Sequence, residues 1–379
     1  MIPLNQNLAS LERSAIRAYT DLARQTPGCA MLTIGEPDLD TPVPIRQAAM
    51  AALEDNQTHY APNQGTPALR RAIAEFETRR GNPTTEDQVL VTIGASHALF
   101  TALLGILNPG EEVVIPTPGF GLYQSIAAIA GAKPVFLDVT KTGFQITKEA
   151  LDGVITPKTK AIVINSPCNP TGVILNRESL EAVKAAILGK PIFLICDNVY
   201  HDLHYSPCPD LSCDPQLKDQ LLLCQSFSKP WAMTGWRIGY LTCPKYVMER
   251  LLLLSAANIA AVPTFVQSAA VTALETPVEP MREIYRRRRD YVTDRLTRMG
   301  LEFPQPEGAF YVFADIRRFG MDSADFCTRM IREGKLAAVP GSCFGTEGYI
   351  RLSYCCSDAQ LEIGMDRLEK FITHLASEK

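Results

Sequence analysis

Apolar residues recur at a helical spacing in the first part of the chain. They return every three or four positions, which places them on one face of a helix with 3.6 residues per turn. This pattern predicts helices at residues 11–25, 44–54 and 67–80. Nothing before Glu36 has a strand pattern that would form a sheet of its own.

The middle of the chain alternates short apolar runs with segments of helical length. The runs are rich in β-branched residues and lie at residues 89–93, 112–115, 134–137, 161–164, 192–195 and 220–224. Most are continuously apolar, as expected for strands buried on both faces of a parallel sheet. The pattern therefore predicts a large α/β domain, and ligands of such sheets bind beyond the carboxyl ends of the strands.

The last hundred residues have a different pattern. A long polar-faced helix is predicted at residues 279–299, with short strands at 310–313 and 350–353. We expect an N-terminal arm at 1–40 that packs with a small α+β domain at 281–379, and a large domain at 41–280. The arginine run at 286–289 is predicted to be a solvated helix face rather than a phosphate or nucleic-acid patch.

Charge and cysteine content exclude several classes of function. The formal net charge of −4 gives no electrostatic footprint for nucleic acid or an anionic membrane. Apolar runs fall short of the ~20 residues that a membrane-spanning helix needs, and residues 1–7 do not have a signal-peptide pattern. The 11 cysteines are scattered without a C-x-x-C pair, and the 5 histidines show no ligand spacing, so we expect free thiols and no metal. A cytoplasmic protein is predicted.

Lys229 is the first candidate for chemistry. It follows the apolar run at 220–224 in the segment Ser226-Phe227-Ser228-Lys229, and Arg237 comes shortly after. A lysine alone is nearly always a solvated surface charge. In a partly apolar pocket beside Arg237, however, its pKa would fall and its amine would become nucleophilic. Ser226 and Arg237 are candidates for binding a phosphate, Arg237 through its forked guanidinium.

A second anion site is suggested by Gly94-Ala95-Ser96, where a predicted strand ends and a helix begins. The free N–H groups of a helix N-terminus favour an anion. An ordinary turn, with Gly94 as the turn residue and Ser96 as a cap, is the alternative interpretation of the same residues.

Asp197 closes another apolar strand, and Tyr200 follows three positions later. A carboxylate buried at a strand end needs a cationic or donating partner, because an unpaired buried charge is costly. A protonated ring nitrogen of a ligand would be such a partner. Asn169 lies in the turn-rich segment after the strand at 161–164, where a simple loop is the alternative.

Arg351 is placed within an apolar strand of the predicted small domain. Its guanidinium needs a carboxylate, and the α-carboxylate of an amino acid would pair with it in a bidentate geometry. A structural salt bridge is the alternative interpretation.

Together these residues resemble the class I/II aminotransferases of fold type I, which use pyridoxal 5'-phosphate (PLP). The resemblance covers residues 34–371 and rests on the order and spacing of its motifs. They are Ile34-Gly35-Glu36-Pro37-Asp38, His59-Tyr60-Ala61-Pro62-Asn63-Gln64-Gly65, Gly94-Ala95-Ser96, Asn169-Pro170-Thr171-Gly172, Asp197 with Tyr200, Ser226-Phe227-Ser228-Lys229, Trp236-Arg237-Ile238-Gly239 and Arg351.

The resemblance implies a mainly parallel seven-stranded sheet and a role for each site residue. Lys229 would carry PLP as a Schiff base, with Asp197 on the ring nitrogen and Phe120 stacked on the ring. By the same resemblance, Asn169 and Tyr200 would bind the phenolic oxygen of the cofactor, and its phosphate would be bound by Ala95, Ser96, Ser226 and Arg237. Tyr60 would reach the phosphate in the neighbouring subunit. The substrate carboxylate would be bound by Gly35, Asn169 and Arg351.

The resemblance also implies an activity. We expect a homodimer that transfers an amino group from an L-amino acid to a 2-oxo acid with ping-pong kinetics. A PLP-dependent carbon–sulfur β-lyase shares every cofactor residue, and a non-catalytic PLP-binding regulatory protein is a third possibility.

Overall fold

The structure of the protein is a computed structural model that describes residues 2, 5–9, 11 and 15–378. Its α-helices are α1 Ala15–Gln25, α2 Val43–Glu54, α3 Pro67–Arg79, α4 Gly94–Ile106, α5 Leu122–Ile129, α6 Lys148–Asp152, α7 Arg177–Ile187, α8 Lys245–Asn258, α9 Thr264–Glu275, α10 Glu279–Arg298, α11 Ser323–Arg332 and α12 Asp358–Ser377. Its strands are β1 Ala30–Met31, β2 Val89–Thr92, β3 Glu112–Thr117, β4 Lys133–Asp138, β5 Thr159–Asn165, β6 Phe193–Asp197, β7 Leu221–Ser226, β8 Gly239–Thr242, β9 Tyr311–Asp315, β10 Leu336–Ala337, β11 Val339–Pro340 and β12 Tyr349–Ser353.

The predicted helices of the first 80 residues are present. The helix predicted at 67–80 begins at Pro67, because Thr66 accepts a hydrogen bond from the Leu69 N–H and caps α3. The helix predicted at 11–25 is described from Ala15 onward, and residues 12–14 lie outside the described residues.

The central sheet confirms the predicted α/β fold. It has seven strands in the order β2-β8-β7-β6-β5-β3-β4. Neighbours from β7 to β4 are parallel, whereas β8 is antiparallel to both β2 and β7. The carboxyl ends of β5, β6 and β7 therefore lie side by side at one edge of the sheet, where the register pairs Asn165 with Asp197.

Helices cover both faces of this sheet, which explains the continuously apolar strands. Successive side chains of a strand point to opposite faces. Val113 and Ile115 of β3 belong to one buried cluster with Leu103 of α4, whereas Val114 belongs to another with Val183 of α7. Both sets of residues must be apolar because neither face meets water.

The C-terminal part forms a smaller α+β unit. Its antiparallel sheet has the order β11-β12-β9, and a single buried cluster joins Leu296 of α10, Phe326 of α11 and Leu368 of α12. The N-terminal strand β1 pairs in parallel with β10, and Leu32 belongs to the same cluster. These contacts hold the N-terminal stretch against the C-terminal unit.

The prediction of a solvated arginine face at residues 286–289 is wrong for Arg288. Its side chain is only 8% exposed and makes two hydrogen bonds to the Asp38 carboxylate, at 2.6 and 2.9 Å. A third hydrogen bond, of 2.8 Å, reaches Asp358. Arg289 is 15% exposed and packs on the Tyr205 ring, so the predicted solvated face holds only for Arg286 and Arg287. Arg288 is a buried clamp between α10 and the Asp38 segment, because a helix turns part of any four consecutive residues toward its neighbours.

The described residues contain no disulfide, no metal cluster and no membrane span. Every one of the eleven cysteines is a free thiol. Within the described part of the chain, no group of three or more His, Cys, Asp or Glu side chains is arranged to hold a metal ion. The helices described here also lack any segment long and apolar enough to cross a bilayer.

Candidate active site

A cavity of about 700 Å³ opens at the carboxyl ends of β5, β6 and β7. This size suits a small organic ligand. The predicted site residues that line it are Gly35, Ala95, Ser96, Phe120, Asn169, Asp197, Tyr200, Ser226, Lys229, Arg237 and Arg351. The structure therefore brings together groups that are separated by more than three hundred positions in the sequence.

Lys229 places its amine inside this cavity, directly after β7. The Nζ atom donates a hydrogen bond of 2.6 Å to the carbonyl oxygen of Gly35. The pKa of Lys229 is lowered to about 8, chiefly by burial, while Cys355 and Glu36 oppose the shift and the guanidinium groups of Arg351 and Arg237 add to it. A substantial fraction of the amine is therefore neutral near physiological pH, as a nucleophile requires.

Asp197 lies at the floor of the cavity, at the end of β6, and is 4% exposed. Its carboxylate accepts hydrogen bonds from the Tyr123 hydroxyl, at 2.6 Å, and from the Val199 N–H, at 3.3 Å. Burial raises the pKa of Asp197 to about 6, although the Tyr123 hydrogen bond opposes the shift. Among residues 15–378 no cationic side chain forms an ion pair with Asp197. The carboxylate is thus suited to a cationic ligand.

Two asparagines fix the geometry beside Asp197. Asn165 ends β5, and its amide nitrogen donates to the Asp197 backbone carbonyl at 2.8 Å. The Asn165 side-chain oxygen accepts from the Asn169 N–H at 2.8 Å. Because Asn169 uses its own oxygen to accept from Arg351, its amide N–H groups remain to donate to a ligand oxygen.

One end of the cavity has groups that could hold an anion. The N-terminus of α4, which includes Ala95 and Ser96, has no side-chain cap, so its first N–H groups lack intrahelical partners. Arg237 lies beside it, and a Cβ added to Gly94 would come within 2.8 Å of the Arg237 Nη2 atom. Gly94 also has a φ of 70°, in the left-handed region that glycine adopts readily. The glycine therefore keeps room for the guanidinium at the helix end.

Arg351 is a second group in the cavity that could bind an anion. It is 2% exposed and donates to Asn169 Oδ1, at 2.9 Å, and to the Thr33 carbonyl, at 2.5 Å. Its buried Nε atom has no hydrogen-bond partner among the described residues. The alternative interpretation of Arg351 was a structural salt bridge, but no acidic residue of the described chain forms an ion pair with it. A buried guanidinium with a free donor favours a carboxylate ligand.

Aromatic side chains form the remaining wall. Phe120 lines the cavity and packs edge to face with Tyr123, with ring centroids 6.0 Å apart. The hydroxyl of Tyr200 lies 2.8 Å from that of Tyr311. Tyr60, in contrast, is 92% exposed and lies outside this cavity.

The residues present fit a flat ring that carries a phosphate and a protonated nitrogen. Asp197 has no cationic partner in the described chain, the N-terminal end of α4 has no cap, and Lys229 offers an amine in the same cavity. These are the chemical complements of PLP.

The comparisons with known proteins decide the family. The sequence model of the family described as "Aminotransferase class I and II" matches residues 27–368. This chain belongs to the class I and II aminotransferases. It is therefore a transferase that moves amino groups.

Several known proteins are similar to this aminotransferase over nearly the whole length of both chains. It is 40% identical to the probable N-acetyl-LL-diaminopimelate aminotransferase of Bacillus subtilis, over 97% of this chain and 95% of the relative. It is 38% identical to an aspartate aminotransferase of Pyrococcus abyssi, over 97% and 98% of the two chains. The solved aspartate aminotransferase of Thermus thermophilus with maleate has a TM-score of 0.93 and 35% identity, over 98% of this chain and 100% of that one. The likeness confirms fold type I. These relatives are all named aminotransferases, so the comparisons do not favour the lyase or the regulatory protein.

The structure adds residues to the site of this aminotransferase that the sequence did not reveal. Tyr123 reaches Asp197, and Tyr311 contacts Tyr200. The only signal for Tyr123 was its position three residues after Phe120. No signal marked Tyr311, whose apolar strand context is typical of a core residue.

Proposed function

We propose that this aminotransferase uses PLP, bound through Lys229, to move an amino group from an L-amino acid to a 2-oxo acid with ping-pong kinetics. The observation that carries the proposal is the cavity itself: the amine of Lys229 and the buried carboxylate of Asp197 share it with an uncapped helix end. PLP, when bound, supplies an aldehyde that captures amines and a ring that withdraws electrons from the α-carbon of the substrate.

Most of the predicted cofactor residues have a matching partner on the ligand. Asp197 would pair with the protonated ring nitrogen, and Phe120 would stack on the ring. Asn169 and Tyr200 would donate to the phenolic oxygen. The phosphate would be held by the N–H groups of Ala95 and Ser96, the Ser226 hydroxyl and the Arg237 guanidinium, which all line the cavity.

Lys229 would act twice. Its neutral amine, favoured by the lowered pKa, would hold the cofactor until the amine of the substrate replaces it. Once free, the Lys229 amine would take the proton from the α-carbon as a general base and give it to the cofactor carbon as a general acid. Both roles need the amine within the cavity, where Gly35 now accepts its hydrogen bond.

Arg351 would bind the α-carboxylate of the substrate, with Asn169 beside it and the Gly35 backbone against it. Replacement by lysine, Arg351→Lys, is expected to lower kcat/KM for the amino acid by about 10- to 100-fold, mainly through KM, because one point charge replaces a forked donor. Steady-state kinetics with a single donor would measure this loss.

Arg295→Lys is a matched control, since Arg295 pairs with Asp366 and Glu369 outside the cavity. The assignment of Arg351 would be wrong if Arg351→Lys and Arg295→Lys had the same kcat/KM.

A half-reaction tests the proposed activity directly. The purified holoenzyme is mixed with one L-amino acid and no acceptor, using aspartate, aromatic donors and N-acetyl-LL-diaminopimelate, because relatives are named for them. We expect one equivalent of 2-oxo acid per site and loss of the cofactor absorbance, which 2-oxoglutarate or pyruvate then restores. Pyruvate and ammonia from cystathionine without any acceptor, together with no amino transfer, would instead establish the lyase.

We propose that the enzyme is a homodimer in which Tyr60 reaches the phosphate in the neighbouring active site. Its exposure of 92%, outside the cavity of its own chain, supports this arrangement. Tyr60→Phe is expected to weaken PLP binding by about tenfold or more, because a hydrogen bond to a charged phosphate is lost. Tyr246→Phe is the control, since Tyr246 is an exposed tyrosine that donates to the Asp219 carbonyl.

A hybrid dimer shows which subunit Tyr60 serves. Chains carrying Tyr60→Phe are mixed with chains carrying Lys229→Ala, and fluorescence titration measures PLP affinity. If Tyr60 acts across the interface, one site of each hybrid has both residues intact and regains the original affinity. Hybrids that bind PLP only as weakly as Tyr60→Phe would show that Tyr60 acts within its own chain.

We further propose the division into an arm at 1–40, a large domain at 41–280 and a small domain at 281–379. The pairing of β1 with β10 supports the placement of the arm with the small domain. A cytoplasmic location also remains a prediction, which eleven free thiols support because such thiols are typical of reducing compartments.

A further inference from the structure

We propose that Tyr311 is a positioning residue for this aminotransferase: its hydroxyl directs the Tyr200 hydroxyl toward the cofactor, and its ring supports the Arg351 guanidinium. The inference rests on the proposed function, because it takes Tyr200 as the donor to the phenolic oxygen of PLP. Tyr311 would thereby connect the ring of the cofactor with the carboxylate site of the substrate.

The proposed role of Tyr200 assigns a direction to the hydrogen bond between the two hydroxyls. The hydroxyl oxygens of Tyr311 and Tyr200 are 2.8 Å apart, and both side chains are buried. Within the described part of the chain, Tyr311 has no other hydrogen-bond partner for its hydroxyl. If Tyr200 gives its proton to the cofactor, its oxygen must accept, and Tyr311 is the group placed to donate.

Both hydroxyls are protonated near neutral pH. Burial raises the pKa of Tyr311 to about 12 and that of Tyr200 well above its ordinary value. A chain of two neutral hydroxyls strengthens the terminal donor, because each hydrogen bond polarises the next. Tyr200 is therefore a better donor when Tyr311 donates to it.

Gly35 leaves the space in which the Tyr311 hydroxyl lies. A Cβ added to Gly35 would come within 1.8 Å of the Tyr311 hydroxyl oxygen. Atoms cannot approach so closely, so a side chain at position 35 must displace this hydroxyl. The glycine in the predicted carboxylate site is thus required by Tyr311 as well as by the substrate.

The ring of Tyr311 supports Arg351 on the same face of the small sheet. Tyr311 of β9 pairs with Ser353 of β12, which makes Arg351 its diagonal neighbour. The Arg351 Cζ atom lies 4.4 Å from the centroid of the Tyr311 ring. Such cation–π contacts favour a fixed guanidinium when they are desolvated.

Two substitutions separate the hydroxyl from the ring. Tyr311→Phe removes only the hydroxyl and is expected to raise the midpoint of the pH-dependent absorbance change of bound PLP by about 0.5 to 1 unit. The shift is upward because a weaker Tyr200 donor stabilises the negative phenolic oxygen less, so the cofactor holds its proton to higher pH. KM for the amino acid should change less than about threefold.

Tyr311→Leu removes the ring too, and it is expected to raise KM by about tenfold in addition to shifting the midpoint. Equal KM values for the two variants would overturn the assignment of the ring.

A double-mutant comparison tests whether the effect passes through Tyr200. In a Tyr200→Phe background, Tyr311→Phe should cause no further shift of the midpoint. An additive shift in that background, or no shift in the original enzyme, would overturn the assignment of the hydroxyl. Gly35→Ala offers an independent variant, since displacement of the hydroxyl should give a shift of the same sign.

Tyr285→Phe is the matched control. Tyr285 is buried, packs on Phe310 and has a hydroxyl without a hydrogen-bond partner in the described chain. It should leave the midpoint unchanged, and a shift equal to that of Tyr311→Phe would contradict the inference. A protein that takes up no PLP would overturn the proposed function itself, whereas a protein that binds PLP but shows no shift would overturn only this inference.

Discussion

Replacement of Lys229 by alanine is expected to lower transamination turnover by at least about 10,000-fold. The substitution removes both the amine that bonds to the cofactor and the general base that moves the α-proton, and a positioned general base alone contributes up to about that factor. Steady-state assays with a donor and a 2-oxo acid would measure the loss, and fluorescence would show that PLP still binds without a covalent bond.

Lys184→Ala provides the matched control. Lys184 is a partly buried lysine of the same domain, and it pairs with Asp214 outside the cavity. The Lys184→Ala enzyme should keep the turnover of the unchanged enzyme. Turnover by Lys229→Ala within tenfold of the unchanged enzyme would be incompatible with the proposed role of Lys229.

Replacement of Asp197 by asparagine is expected to lower turnover by about 30- to 5,000-fold. The loss corresponds to about 2–5 kcal/mol for removing one partner of a buried charge pair. The Tyr123 hydroxyl can still donate to the amide oxygen, so the fold should persist. Stopped-flow measurement of the half-reaction, with PLP saturating, isolates the chemical effect from cofactor binding.

Asp210→Asn controls for the loss of a partly buried carboxylate close to Asp197. Asp210 accepts a hydrogen bond of 2.6 Å from Asn198, next to Asp197, but does not line the cavity. Its half-reaction should proceed at the original rate. Equal rates for Asp197→Asn and Asp210→Asn would remove the basis for pairing Asp197 with the ring nitrogen.

The strand ends were predictable because they depend on local patterns. Continuous apolar runs located β5, β6 and β7, and parallel strands end at a common edge. Asn165, Asp197 and Ser226 therefore fall together once the runs are assigned. The same local argument located the start of α4 at Gly94, and the anion site there stays a prediction.

The missed residues depend on contacts between distant parts of the chain. Tyr123 meets Asp197 across 74 positions, and Tyr311 meets Tyr200 across 111. A buried tyrosine in an apolar strand has the same sequence signature whether its hydroxyl reaches a partner or not. Periodicity predicts which face a residue occupies, but not which side chain it meets there.

Arg288 illustrates the same limit for charge patterns. The sequence predicted that Arg288 is exposed to solvent, because the run at residues 286–289 is strongly polar as a whole. Its partner Asp38 lies 250 positions away in the sequence, in the segment that follows Gly35. The contact between Arg288 and Asp38 depends on the fold, which brings the N-terminal segment against α10.

Borohydride reduction of the holoenzyme tests the central claim most directly. The treatment converts a cofactor bound through an amine into a stable adduct, and mass spectrometry of the digested protein locates it. We expect one pyridoxyl group per chain, on the peptide that contains Lys229. A reduced cofactor attached to another lysine, or protein that binds PLP yet remains unlabelled, would contradict it.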